Sequence, residues 1–253
     1  MTWLILPGWG LPPSDYQKLA KLLGPDTRVL DSWKVALTAN TDDIRAELGA
    51  ADSPSVDLMG HSLGGLAAIE WALRYPAQVR RLVLLDPTAP DDAPSRSWMK
   101  GRIRRVADGL AGATVVALWP AAERLRRWTI RRSTGAPDDL PRDEAHARYG
   151  TRESCRFLAG QLSESWEHAA RVARMLDGGA APRRESAPLL LVAAGKGGQR
   201  GFLRSQWDLG RKLHARTIML AGQDHLFPLS RPDLVFRHVE KTEPNAETPL
   251  LNS

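Results

Sequence analysis

Short apolar runs with strand character alternate with helical segments at both ends of this chain, and that alternation admits little besides a parallel sheet covered on both faces. Thr2 to Leu6 is apolar and stops at Pro7-Gly8-Trp9-Gly10, so it reads as a buried strand that ends in a loop. Ser14 is placed to cap a helix through Leu23, with Tyr16, Leu19, Ala20, Leu22 and Leu23 on its apolar side and Gly24-Pro25 as its stop. Thr27 to Leu30 is a second strand, Thr41-Asp42-Asp43 opens another helix, and Val56 to Met59 is a strand that runs into Gly60-His61-Ser62-Leu63-Gly64-Gly65. A helix from Leu66 to about Tyr75 and a strand from Val79 to Leu85, with Asp86-Pro87 at its carboxyl end, complete this first block.

After residue 90 the alternation gives way to a stretch rich in Arg, Ala, Trp and Leu with helical spacing, which reads as an insertion running to about Glu185. Alternation then resumes: a strand over Pro188 to Ala194, a helix over Gln206 to Leu213, a strand over Arg216 to Leu220 and a helix from about Arg231 to Val239. At 253 residues, 43% hydrophobic and 25% charged, the chain can fill one large α/β domain around a single core. The expected division is a core of residues 1–90 and 186–240, an insertion of residues 91–185 and a loose tail of residues 241–253.

The first residues carry no basic leader and meet Pro7 too early for a signal-peptide core, and about 18 consecutive apolar residues occur nowhere, so a cytoplasmic protein is expected. Cys155 is the single cysteine, which excludes an internal disulfide and a cysteine-based metal cluster and reads as a structural residue. The net charge of +6 gathers between Arg96 and Arg132, where ten Arg and Lys residues face only Asp108 and Glu123. Such a segment suits an anionic membrane surface, the phosphates of coenzyme A or a merely solvated helix face. It does not suit nucleic acid, because no groove-reading motif accompanies it.

The strongest chemical signal is Gly60-His61-Ser62-Leu63-Gly64, a G-x-S-x-G run between a strand and a helix. A serine at the tip of such a turn projects above the carboxyl edge of the sheet, and neighbours without side chains let strand and helix approach closely. The amides that open the following helix point to where an oxyanion would form.

With these residues in place the chain resembles the α/β-hydrolase superfamily, and specifically its compact serine esterase and thioesterase-like members with a helical cap. Leu6-Pro7-Gly8-Trp9-Gly10 is similar to the family's oxyanion loop, Val83-Leu84-Leu85-Asp86-Pro87 to the strand after the nucleophile helix, and Gly222-Gln223-Asp224-His225-Leu226-Phe227-Pro228 to its histidine loop. Pro7 stands where the family usually carries histidine. The resemblance implies an α/β-hydrolase fold, a mostly parallel central sheet with helices on both faces, and a cap formed by residues 91–185.

A serine hydroxyl needs a base, and His225 follows Ser62 in the order this fold uses. His61 should point away from its neighbour Ser62, and His146, His168, His214 and His238 lie in helical or charged surroundings. The loop where most relatives carry the triad acid reads Gly195-Lys196-Gly197-Gly198-Gln199-Arg200 and holds no carboxylate. Some members place the acid where Asp86 stands; Asp208 is the alternative, and a triad without a carboxylate a third. Asp224 adjoins His225, but consecutive side chains diverge. The backbone amides of Trp9 and Leu63 are the expected oxyanion donors, and the Trp9 indole either walls the acyl pocket or packs in the core. Trp98, Trp119, Trp128 and Trp166, with Val106, Leu110 and residues 115–118, are expected either to line an apolar cavity or to seal the cap against the sheet.

The expected activity is therefore hydrolysis of a small-molecule carboxylic ester or thioester with an apolar acyl group, through an acyl-enzyme on Ser62, with no metal and no organic cofactor. Acyl transfer through the same intermediate and a non-catalytic binding protein on this fold are the alternatives.

Overall fold

Six strands form one all-parallel sheet in the order β2-β1-β3-β4-β5-β6. They are β1 (Trp3–Leu6), β2 (Arg28–Val29), β3 (Val56–His61), β4 (Val79–Leu85), β5 (Leu189–Ala194) and β6 (Arg216–Ala221). The computed structural model describes residues 2–90, 119–183, 187–195 and 200–241. The helices are α1 (Gln17–Leu23), α2 (Thr41–Glu47), α3 (Leu63–Arg74), α4 (Ala122–Thr134), α5 (Arg142–Tyr149), α6 (Arg152–Asp177), α7 (Arg200–Lys212), the single turn α8 (Phe227–Ser230) and α9 (Pro232–Glu240). Among the described residues no helix is long and apolar enough to cross a membrane.

Strands β1 and β5 are apolar without interruption because both faces are covered, whereas β3 and β4 carry Asp57, Arg80 and Arg81 at their amino-terminal ends, where both arginines pair with Asp57. The strands' period of two divides the core. Leu4, Leu6, Leu58, Leu84 and Leu190 join Leu66 and Ile69 of α3 and Leu209 of α7 on one side. Trp3, Ile5, Met59, Val83 and Leu191 join Leu19 of α1 and Val235 of α9 on the other. The alternation of strands and helices read from the sequence thus becomes a sheet with helices on both faces.

Several boundaries differ from the sequence reading. Ser14 caps nothing: Pro13–Tyr16 form a tight 3-10 turn, and α1 begins at Gln17 without a side-chain cap. The second strand shrinks to two residues, since β2 is an edge strand paired only with β1. Helix α3 starts at Leu63, three residues earlier than the apolar run suggests, and α7 at Arg200 rather than Gln206.

The 3-10 turn Trp119–Ala121 and helices α4, α5 and α6 are the described elements within the expected insertion. Both ends of the expected cap, at residues 91 and 185, lie outside the described residues, as does the tail from residue 242 on. Helix α6 packs on α3 and is tied to it through buried Glu70, which accepts from Arg171 at 2.9 and 3.1 Å and lies 2.8 Å from His168 Nε2. Burial works to raise the Glu70 pKa, but the hydrogen bonds from His168, Arg171 and Arg74 outweigh it and hold the carboxyl well below the usual range. Gln161 of α6 adds two bonds to the core, accepting from the Leu37 amide at 3.1 Å and donating to the Ser32 carbonyl at 3.2 Å.

Candidate active site

Ser62 sits between the last residue of β3 and the first of α3 with φ 53° and ψ −121°, a conformation that costs an L-residue about 1–3 kcal/mol. The surroundings hold it there. Its amide donates to the Leu85 carbonyl at 3.1 Å, and its own carbonyl accepts from the amides of Gly65 and Thr88, each at 2.9 Å. Close passage of α3 over the sheet demands the flanking glycines: a Cβ on Gly60 would lie 2.5 Å from the Gly64 carbonyl oxygen, and one on Gly64 would collide with the carbonyl oxygens of Leu6 and Pro7.

Three side chains from distant parts of the chain meet at this edge. His225, in the loop after β6, places Nε2 2.9 Å from Ser62 Oγ and Nδ1 2.6 Å from Asp86 Oδ2. Asp86 leaves the end of β4 with φ 47°, its amide bonded to the Leu191 carbonyl at 2.8 Å. Its other carboxylate oxygen accepts from the Ala193 amide at 3.0 Å, and the side chain is only 3% exposed. Since a carboxylate only accepts, Nδ1 of His225 carries the hydrogen and a neutral ring leaves Nε2 free to accept from the serine hydroxyl.

Asp208 is not part of this assembly. It lies on α7 and pairs with Arg211 one turn further on, so of the two carboxylates the sequence offered the structure brings Asp86, and not Asp208, to His225. The carboxylate of Asp224 accepts from the Leu226 amide at 3.0 Å, which turns the loop rather than orienting the imidazole.

Leu63 opens α3, so its amide is among those without an acceptor inside the helix. On the facing loop Pro7 has no N–H, and the Gly8 amide is taken by Tyr16 Oη at 2.8 Å, which leaves Trp9 as the next amide. The Trp9 indole resolves the choice offered by the sequence by doing both: it packs against the core, lines the cavity above Ser62 and donates from Nε1 to the Leu158 carbonyl of α6 at 2.8 Å.

That cavity measures about 330 Å³, with Ser62 and His225 on its floor and Leu11, Leu125, Ile130, Leu158 and Leu226 among its walls. Of the four cap tryptophans, the two with described side chains, Trp128 and Trp166, are not among the lining residues. Trp128 projects outward, 62% exposed, because it shares the solvent face of α4 with Arg124, Arg127, Arg131 and Arg132. Trp98, the Trp119 side chain, Val106, Leu110 and residues 115–118 lie outside the described residues, as do the basic positions from Arg96 to Arg105.

Arg126 is the one cation among the residues lining the described cavity, and two carboxylates neutralise it. It bonds Asp15 at 2.7 and 3.0 Å and Asp138 at 3.0 Å, all three side chains at most 6% exposed, and reaches Tyr149 Oη, which donates to the Gly10 carbonyl at 2.7 Å. Sequence reasoning missed this cluster because its members are 111 and 12 residues apart and no periodicity links them. Arg126→Met would strand two carboxylates in a buried place, so a loss of about 3–5 kcal/mol in urea unfolding is expected; an unchanged midpoint and slope would refute the pairing.

Comparison with known proteins agrees with this architecture. Residues 3–238 match the sequence profile described as the Alpha/beta hydrolase family. The chain is 28% identical over 227 residues to a homoserine O-acetyltransferase of Thermobifida fusca (strain YX), a match covering 82% of this chain and 56% of that protein. It is 30% identical over 145 residues to a pimeloyl-[acyl-carrier protein] methyl ester esterase of Chromobacterium violaceum, covering 53% of this chain and 54% of the esterase. The chain thus spans about half the length of these curated relatives. Among solved structures, that of Cfl2 from Burkholderia cenocepacia superimposes with a TM-score of 0.70 at 17% identity, covering 95% of this chain and 87% of that one. With a profile match over nearly its whole length and the parallel sheet described above, the chain belongs to the alpha/beta hydrolase family.

Proposed function

We propose that the protein is a serine hydrolase that cleaves a carboxylic ester or thioester carrying an apolar acyl group. One observation carries this reading: the unbroken hydrogen-bonded series Ser62, His225, Asp86 opens onto an apolar cavity. In the proposed reaction Ser62 Oγ attacks the acyl carbon while its proton passes to His225 Nε2. The amides of Trp9 and Leu63 hold the negative charge on the carbonyl oxygen. Collapse expels the alcohol or thiol, which takes the proton from His225, and a water deprotonated by the same nitrogen then releases the acid and restores Ser62. Asp86 keeps Nδ1 protonated and balances the imidazolium. An acceptor alcohol in place of water would turn the same intermediate to acyl transfer, a second reading favoured by the similarity to an O-acetyltransferase.

A fluorophosphonate probe tests the nucleophile. Intact-protein mass should rise by one phosphonyl group in the wild type and stay unchanged in Ser62→Ala. An ester series of increasing acyl length, with and without an added alcohol, then measures the acyl preference and the partition between water and acceptor. A wild type that neither labels nor hydrolyses any member would remove the enzyme reading and leave a binding protein on this fold.

A further inference from the structure

His61, the residue before Ser62, is wholly buried, and both of its ring nitrogens are engaged. Nε2 lies 2.9 Å from the backbone carbonyl oxygen of His225, and since a carbonyl only accepts, this nitrogen carries the hydrogen. Burial, then the nearby charge of His225, pushes the His61 pKa down to about 3 against the opposing effect of that backbone bond, so the ring stays neutral and Nδ1 is bare. Nδ1 lies 2.6 Å from Tyr16 Oη, itself wholly buried, so the phenol donates to it. A lone pair of the same oxygen then receives the Gly8 amide at 2.8 Å. Every hydrogen in the series therefore has one allowed direction: Gly8 into Tyr16, Tyr16 into His61, His61 into the peptide of His225.

The ends of this series are the two loop-borne parts of the proposed chemistry. Gly8 precedes Trp9 in the loop that offers an oxyanion amide, and the His225 carbonyl belongs to the residue that offers the base. Both are fastened to the last residue of β3, one position from the nucleophile. The rings of His61 and His225 also touch, with centroids 4.9 Å apart and a 40° tilt. A positive charge on His61 would oppose the imidazolium that His225 must become, and a phenol donating to Nδ1 leaves no acceptor there for a proton.

We propose that Tyr16 and His61 are positioning residues of the reaction assigned to Ser62: their relay sets the Trp9 amide and the His225 imidazole against the nucleophile. The inference rests on the reading of Ser62 as nucleophile. Neither residue hydrogen-bonds to a reacting atom, so the contribution of both falls on the geometry of the transition state rather than on ground-state binding. Removal should thus lower kcat and leave KM nearly unchanged.

Tyr16→Phe deletes one oxygen and keeps the ring. It is expected to lower kcat for the preferred ester about 10- to 100-fold with KM within about threefold, and His61→Gln, which keeps a donor for the His225 carbonyl, should retain more activity than His61→Leu. Folded variants with kcat within about twofold of wild type overturn the inference. A second measurement needs no variant at these positions. In protein labelled with nitrogen-15 at histidine, nuclear magnetic resonance should show His61 with a protonated Nε2 and a bare Nδ1, without titration from about pH 5 to 9. The titratable groups touching its ring are Tyr16, from the turn before α1, and His225, from the loop after β6. A His61 protonated at Nδ1, or titrating in that range, overturns the relay. The same spectrum recorded on Ser62→Ala separates the two ideas: if Ser62→Ala still labels or turns over, the nucleophile reading fails whatever the spectrum shows.

Discussion

Replacing His225 with alanine is expected to lower kcat for ester hydrolysis by on the order of 10⁶-fold, because a serine deprived of its base loses nearly all that the catalytic group as a whole supplies. No other imidazole at the site can substitute. His61 is the only other histidine lining the cavity, and both its nitrogens are committed, one to Tyr16 and one to the peptide of His225. The change should cost little stability, since the His225 side chain is 50% exposed, so a folded variant reports on chemistry rather than on collapse. The vacated volume adjoins a cavity of about 330 Å³, and added imidazole, which fits such a space, should restore part of the rate in proportion to its concentration. The measurement is steady-state hydrolysis beside a thermal melt. A folded His225→Ala that retains a tenth of the wild-type rate would show that His225 is not the base.

The sequence exposed the parts of the site that local chemistry dictates. Gly60, Ser62 and Gly64 announce themselves because a strand that turns at once into a helix cannot tolerate side chains at its crossing points, and the clashes a Cβ would meet at Gly60 and Gly64 are the structural counterpart. The burial of both strand faces likewise follows from uninterrupted apolar runs such as Leu189 to Ala193. What stayed hidden depends on neighbours across the sheet. Whether Asp86 or Asp208 faced the histidine could not be read from the chain, since the answer lies in β4 and β5 being adjacent parallel strands that end at one edge. Tyr16 looked like one more apolar residue of a helix, although a buried phenol rarely lacks a partner for its hydroxyl, and that was the available signal. Trp128 misled for the opposite reason. An aromatic in an arginine-rich helix suggests a core face, but on α4 the face of Arg126 and Ile130 turns inward and that of Trp128 does not.

The charge of the chain and the neutrality of its cavity are compatible once the arginines of α4 are sorted by face. Arg124, Arg127, Arg131 and Arg132 stand in solvent, whereas Arg126 spends its charge on Asp15 and Asp138. Among the described residues, the cavity beside Leu125 and Ile130 therefore has apolar walls and no cation without a carboxylate partner.

Asp86→Asn is expected to lower kcat by about 10⁴-fold while leaving the fold intact, and the reason lies in which atoms its two side-chain positions face. One oxygen accepts the Ala193 amide at 3.0 Å, and that N–H can be satisfied only by an acceptor. An asparagine must therefore turn its carbonyl oxygen toward Ala193 and present its NH₂ to Nδ1 of His225. A donor at that place forces Nδ1 to be bare and moves the ring hydrogen to Nε2, where it points at Ser62 Oγ and can no longer take the serine proton. The loss thus comes from the wrong tautomer, and raising the pH should not recover it. Asp208→Asn, which alters only an exposed pair with Arg211, should stay within about twofold of wild type. Full activity in Asp86→Asn, or a large loss in Asp208→Asn, would mean that the carboxylate bonded to His225 does not fix its tautomer during turnover.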